Sequence, residues 1–149
     1  MIFEDTNYEK NGFVTLEVAK FRGAIVSNCS YDVTLALPKG KNYFGYAVAN
    51  FNLSEVPTKP FFLDFRGVKI GKLNVNGQEV KDNTFSDHHI KLPSSYLVVG
   101  PNVVSMNIFN KYRKDGVGLH SFTDATDGEQ YIYTQYEADF CHYVMPCFD

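Results

Sequence analysis

"YDVTLALPKGKNYFGYAVANFNL", residues 31–53, decides the fold class. Tyr31, Val33, Leu35 and Leu37 alternate with Asp32, Thr34 and Ala36, the period-two pattern of a half-buried strand. "PKGK" interrupts it, and the aromatic run "YFGYAVANFNL" resumes as the hairpin partner. A helix would instead need apolar residues three and four apart.

The same alphabet continues downstream. "FFLDF" (61–65) reads as a third strand, and "KIGKLNVNGQEV" (69–80) carries Asn76-Gly77. Both positions of a type I′ turn need positive φ, so that dipeptide is the strongest hairpin signal in the chain. "NVVSMNIFNKY" (102–112) and "QYIYTQY" (130–136) add two strands, with "GLHSFTDATDGE" (118–129) as a strand running into a polar turn. Upstream, "TLEVAKFRGAIV" (15–26) reads as one short helix, with Thr15 as N-cap, Glu17 in the first turn and Gly23 weakening the far end. Seven or so strands imply an all-β domain, a sandwich or large twisted sheet, with a short helical turn near the C-terminus.

At 149 residues, with 44% hydrophobic and 21% charged residues, the chain is one globular domain with no linker or repeat. Thirteen Phe and ten Tyr with no Trp imply an aromatic-rich interior. A net charge of −3 without a basic stripe argues against nucleic acid as partner. No apolar run approaches the ~18 residues of a membrane span. The start, "MIFEDTNYEK", lacks the basic and apolar regions of a signal peptide, so a cytoplasmic location is expected. Cys29, Cys141 and Cys147 then read as free buried thiols, although Cys141 and Cys147 would be able to pair after export. The triplets Asn28-Cys29-Ser30 and Asn52-Leu53-Ser54 match a glycosylation signal only by chance without secretion.

Candidate chemistry is sparse. Asp87-His88-His89 looks metal-like, but neighbours on a strand point to opposite faces, and no third ligand lies nearby; a solvated polar loop is the reading. His120 and His142 are isolated. Asp124, Asp127 and Glu129 supply too few oxygens at fixed spacing for a calcium loop and fit a hairpin turn better. If "QYIYTQYE" (130–137) is one strand, Tyr131, Tyr133, Gln135 and Glu137 share a face, an aromatic wall with a polar tip. A Glu ahead of a short helix also suits the positive end of the helix dipole, a purely structural role. The residues alone name no reaction.

The blocks "LDFRGVKIGKLNVNG" (63–77), "DGVGLHSFTDATDGEQYIYTQYE" (115–137) and "MPCFD" (145–149) together resemble the N-terminal domain of zinc aminopeptidases of the aminopeptidase N and leukotriene hydrolase family. The likeness extends back through "YFGYAVANFNL" (43–53) and "SNCSYDVTLAL" (27–37). The resemblance implies a saddle-shaped, mostly antiparallel β domain over residues 1–149, covering a catalytic domain that would follow Asp149. In such enzymes that following domain holds zinc through a His-Glu-x-x-His helix and a downstream Glu, and none of these is present here. The chain alone is therefore expected to be inactive and to bind no zinc itself. By the same likeness, Glu137 would receive the α-ammonium of peptides with a free N-terminus, and Gln135 would line the pocket for the first side chain. Leukotriene-hydrolysing members carry Gln where Glu137 stands, so Glu137 implies plain aminopeptidase chemistry.

The expected partners are the protein's own catalytic domain and peptide substrates, with no nucleic acid and no membrane. An apolar face made for a neighbouring domain also implies self-association of the isolated chain, or a swapped or disordered Phe140–Asp149 segment. Two other readings stay open. One is a stand-alone β-sandwich module binding peptides or sugars, and the other a scaffold that binds peptides without cleaving them.

Overall fold

The computed structural model describes residues 12–149 apart from positions 83 and 87. The N-terminal stretch 1–11 and Asp87 of the Asp-His-His run lie outside the described residues. Helix α1 covers Leu16–Ile25, and the Thr15 hydroxyl accepts from the Val18 N–H at 3.3 Å, as its capping chemistry predicts. Ten strands follow among the described residues: β1 (Val26–Ala36), β2 (Asn42–Leu53), β3 (Phe62–Asp64), β4 (Lys69–Ile70), β5 (Asn74–Val75), β6 (Gln78–Glu79), β7 (His89–Lys91), β8 (Gly100–Lys111), β9 (Gly118–Thr123) and β10 (Gln130–Gln135). The strands beyond the expected seven are two or three residues long, too short for an alternation to register. No helix among the described residues is long and apolar enough to cross a membrane.

The principal sheet runs β1-β2-β8-β5-β6, with β4 also paired to β8, and every pairing in it is antiparallel. The 31–53 reading holds: Val33 opposes Ala47 and Leu35 opposes Gly45 across the first hairpin. β1 is longer than expected, reaching back to Val26 through a register break between Ser27 and Ser30, where Asn28 has φ 52°. Asn76 (φ 52°) and Gly77 (φ 81°) form the β5–β6 turn their chemistry requires.

Alternation along β2 and β8 sends one face inward. Tyr43, Ala47, Ala49, Phe51 and Leu53 are buried from β2, opposite Asn110, Met106, Val104 and Asn102 of β8. Ile25 of α1, Phe61, Leu63 and Phe65 around β3, and Ile90 of β7 complete the core. A smaller cluster of Tyr43, Tyr112, Leu119 and Val144 attaches the β9–β10 hairpin. The hairpin's far end is clipped to the β1–β2 loop: the Gln130 amide bonds both backbone groups of Gly40 (2.8 and 2.9 Å), and Lys39 meets Glu129 at 2.6 Å.

The C-terminal segment packs against the rest of the domain. Cys147 exchanges backbone bonds with Asp64 (2.8 and 3.1 Å), and Phe148 packs on Phe51 and Phe61, with centroids 5.1 and 5.5 Å away. Beside it lies a buried ion pair, Arg22 to Asp64 at 2.6 Å, which no local pattern announced. An aromatic side chain inserted into the core and a paired backbone hold this segment more firmly than its place in the sequence suggested. The solvated-loop reading of the histidines also fails for His89. That residue is on β7, 6% exposed, with its ring edge-on to Phe62 at 4.3 Å, and burial holds its pKa below the usual value. Among the cysteines only Cys147 is buried; Cys141 is half-buried and Cys29 exposed, and all three are free thiols.

Candidate functional site

The β9–β10 hairpin builds the site. Its register sets Tyr131 against Phe122, Tyr133 against His120 and Gln135 against Gly118, so six positions share one face. On that face Phe122 stacks on Tyr131 at 5.5 Å, and His120 lies 4.9 Å from Tyr133. The His120 ring is oriented by the Gly116 N–H, which donates to Nδ1 at 2.9 Å. Phe122, Tyr131 and Tyr133 remain 43–45% exposed, so this is an open aromatic ladder rather than a core.

The ladder ends in the two polar residues singled out from the sequence, but not as one strand. β10 stops at Gln135, and Glu137 lies in the turn that follows, with the Glu137–Ala138 peptide bond cis. The strand-parity argument for Glu137 is thus overturned. The two residues come together differently: the Glu137 N–H donates to the Gln135 side-chain carbonyl at 3.0 Å. Gln135 and Glu137 are both exposed. The 3-10 helix that follows starts at Cys141, with Phe140 as N-cap and no side-chain cap bond, so the dipole-capping role for Glu137 finds no support. Tyr136 between them has its phenol pushed up by burial.

Behind the turn is a support that sequence reasoning missed. The Tyr143 ring sits with the Arg113 guanidinium 4.3 Å from its centroid and that of Arg66 at 5.5 Å. Asp115 grips both Nε (2.9 Å) and Nη2 of Arg113, and this hydrogen bonding holds its carboxyl below the usual range. Gly118, opposite Gln135, has φ +65°, and a Cβ there would meet Arg113 Cδ and Tyr143 Cβ at 3.0 Å each. The available signal was a glycine inside a strand pattern, which marks a close approach.

Asp124, Asp127 and three of the four histidines are engaged in other contacts. Asp124 and Asp127 accept the N–H groups of Thr126 (2.7 Å) and Glu129 (2.8 Å) as turn formers. His89 packs on Phe62, His120 accepts from Gly116, and His142 Nδ1 lies 2.6 Å from Asp149. No group of three or more potential ligands able to hold a metal occurs among the described residues.

Comparison with known proteins gives the same direction as the motif blocks. No family model matches the chain. A curated relative, Aminopeptidase N of Streptomyces lividans, is 28% identical over 140 residues, covering 91% of this chain and 16% of the relative. The chain resembles an aminopeptidase N-terminal domain. The solved structure of native leukotriene A4 hydrolase from Saccharomyces cerevisiae superposes with a TM-score of 0.63 at 12% identity, covering 85% of this chain and 22% of that one. At that identity the match speaks for the fold, the mostly antiparallel β domain expected from the sequence. The chain thus spans about a fifth or less of either protein's length.

Proposed function

We propose that the chain is the β domain of a zinc metallo-aminopeptidase and supplies the amine anchor of its substrate cleft. The carrying observation is the pairing at the end of β10: the Gln135 side-chain carbonyl is held by the Glu137 N–H at 3.0 Å, while the Glu137 carboxylate stands exposed. An exposed carboxylate at this turn would offer a substrate ammonium charge-assisted hydrogen bonds, and a blocked amine would leave it unpaired. Gln135, oriented by the same bond, lines the space for the first side chain. In this reading the metal ligands belong to another part of the protein; His89, His120 and His142 of this chain are engaged in other contacts. Three free thiols suit a cytoplasmic setting.

The test is Glu137→Gln in the enzyme that carries this domain, assayed on a free-amine peptide and its N-acetylated twin. Losing one partner of a desolvated charge pair costs about 2–5 kcal/mol, or roughly 30- to 4000-fold in kcat/KM at 1.4 kcal/mol per decade. The free-amine preference should collapse while metal content and folding stay normal. An unchanged ratio of the two rates removes Glu137 from the cleft.

A second reading rests on the exposed Phe122–Tyr131–Tyr133 ladder, which has the stacking surface of a sugar- or peptide-binding module. Binding of such ligands by the isolated chain, lost on Tyr131→Ala, would favour it.

A further inference from the structure

β10 is an edge strand, paired with β9 alone. Its partner shows which way its backbone points. The Leu119 carbonyl and the Ser121 N–H of β9 turn to Arg113, at 2.9 and 3.0 Å, and so away from β10. Their register partners, Thr134 and Ile132, therefore turn their own N–H and C=O groups to the opposite, outer edge. No backbone bond meets those groups among the described residues. The edge has closed ends. Beyond Thr134 the Tyr136 carbonyl is taken by the Phe140 N–H at 2.9 Å, so the turn that holds Glu137 caps one end. At the other, Gln130 is clipped to Gly40. Between them the usual guards of an exposed strand are missing: 130–135 has no Lys, no acid and no Pro, and its register is unbroken. β1, by contrast, carries a register break and the exposed Asp32.

We infer that β10 takes a peptide substrate as a third strand, antiparallel to itself, with the substrate's α-ammonium at Glu137. This rests on the amine-anchor reading above and adds the course of the peptide beyond its first residue. Charge sets the direction. The ammonium belongs at the Glu137 carboxylate, so the peptide runs from that turn back toward Gln130. At about 3.3 Å per residue, the substrate residue two or three places in stands opposite Thr134, and the one two places further opposite Ile132. Each exchanges N–H···O=C bonds with its β10 partner. The substrate residue between them faces Tyr133 and shares the face of the aromatic ladder, which favours an apolar side chain there. The backbone bonds themselves are blind to sequence.

Amide hydrogen exchange in the chain, followed by NMR, reads this directly. The probe is an unblocked pentapeptide of alternating valine and threonine. Its controls are an N-acetylated twin and a twin N-methylated at every internal nitrogen, which has no N–H left for a ladder. With the unblocked peptide in excess, exchange at Ile132 and Thr134 should slow by about tenfold or more. Tyr131 and Tyr133, whose N–H groups face β9, should not change, and the methylated twin should have no effect. Thr134→Pro removes the outward N–H at an edge position where proline is tolerated, and should abolish the slowing at Ile132. Should that variant not fold, the methylated twin makes the same cut on the native chain. Unchanged exchange at Ile132 and Thr134, with the free-amine preference intact in the enzyme, sinks the strand and leaves the anchor. Equal slowing by the acetylated twin sinks the anchor, and with it the direction assigned here. Equal slowing by the methylated twin overturns the inference. So does slow exchange of both amides before any peptide is added, which would mean that a second copy or another segment fills the edge.

Discussion

Replacing Arg22 with Leu is the sharpest test of how α1 is joined to the C-terminal segment. The guanidinium, 7% exposed, reaches Asp64 at 2.6 Å and the Asp149 carbonyl at 3.2 Å, and lies 5.7 Å from the Phe148 ring centroid. Asp64 is 1% exposed and also accepts the Asp149 N–H at 3.2 Å. Leucine keeps the apolar stem but strands a buried carboxylate, which costs about 3–5 kcal/mol. For a domain of this size each kcal/mol moves Tm by roughly 2–4 °C, so a fall of about 6–20 °C is expected in a circular-dichroism melt. The double variant Arg22→Leu with Asp64→Leu should recover much of it, because no charge is left buried. Lys39–Glu129 is the internal control. Its separation is also 2.6 Å, but its side chains are 76% and 56% exposed, so Lys39→Ala should cost under about 1 kcal/mol. A single variant that loses no more than this control, or a double variant no better than the single, would refute burial as the source of the cost.

Three further outcomes are expected. Gly118→Ala places a Cβ 3.0 Å from both Arg113 and Tyr143 at φ +65°, and should cost roughly 1–3 kcal/mol in a urea titration. Asn102, 1% exposed, bonds the Val98 N–H and carbonyl, the Gly100 carbonyl and Asn76; Asn102→Ala should cost about 1–3 kcal/mol or more, read the same way. Burial lowers the pKa of His89 in the folded chain below its unfolded value of 6.5, so the unfolded state binds the extra proton first. Its contribution is present above pH 6.5 and is lost as pH falls toward the folded value; melts of His89→Phe should show a flatter acid limb than wild type.

What the sequence revealed follows the range of the physics. The Asn76-Gly77 turn, the Thr15 cap and the β1–β2 alternation depend on neighbours a few residues apart, and all were legible. β7 was not, because His89, Ile90 and Lys91 are too few to show a period and the first of them is a polar residue buried against Phe62. The Arg22–Asp64 pair joins positions 42 apart, and a charge among apolar residues does not name its partner. For the candidate site, Gln135 and Glu137 were legible as a polar tip on one face, and only the motif blocks gave them a role. Their mutual arrangement depends on where β10 stops, and the alternating pattern runs past that point.

The register break in β1 has a consequence for the protein outside its folded duties. β1 is the outer strand of the principal sheet, eleven residues whose free edge would otherwise template another chain. The interruption between Ser27 and Ser30 spoils continuous pairing, and exposed Asp32 sets a charge in the remaining length. A fibril growing by edge-to-edge addition would have to match an irregular backbone copy after copy, as flat cross-β stacking does not allow. The edge of β1 is thereby a poor template for a second copy of the chain.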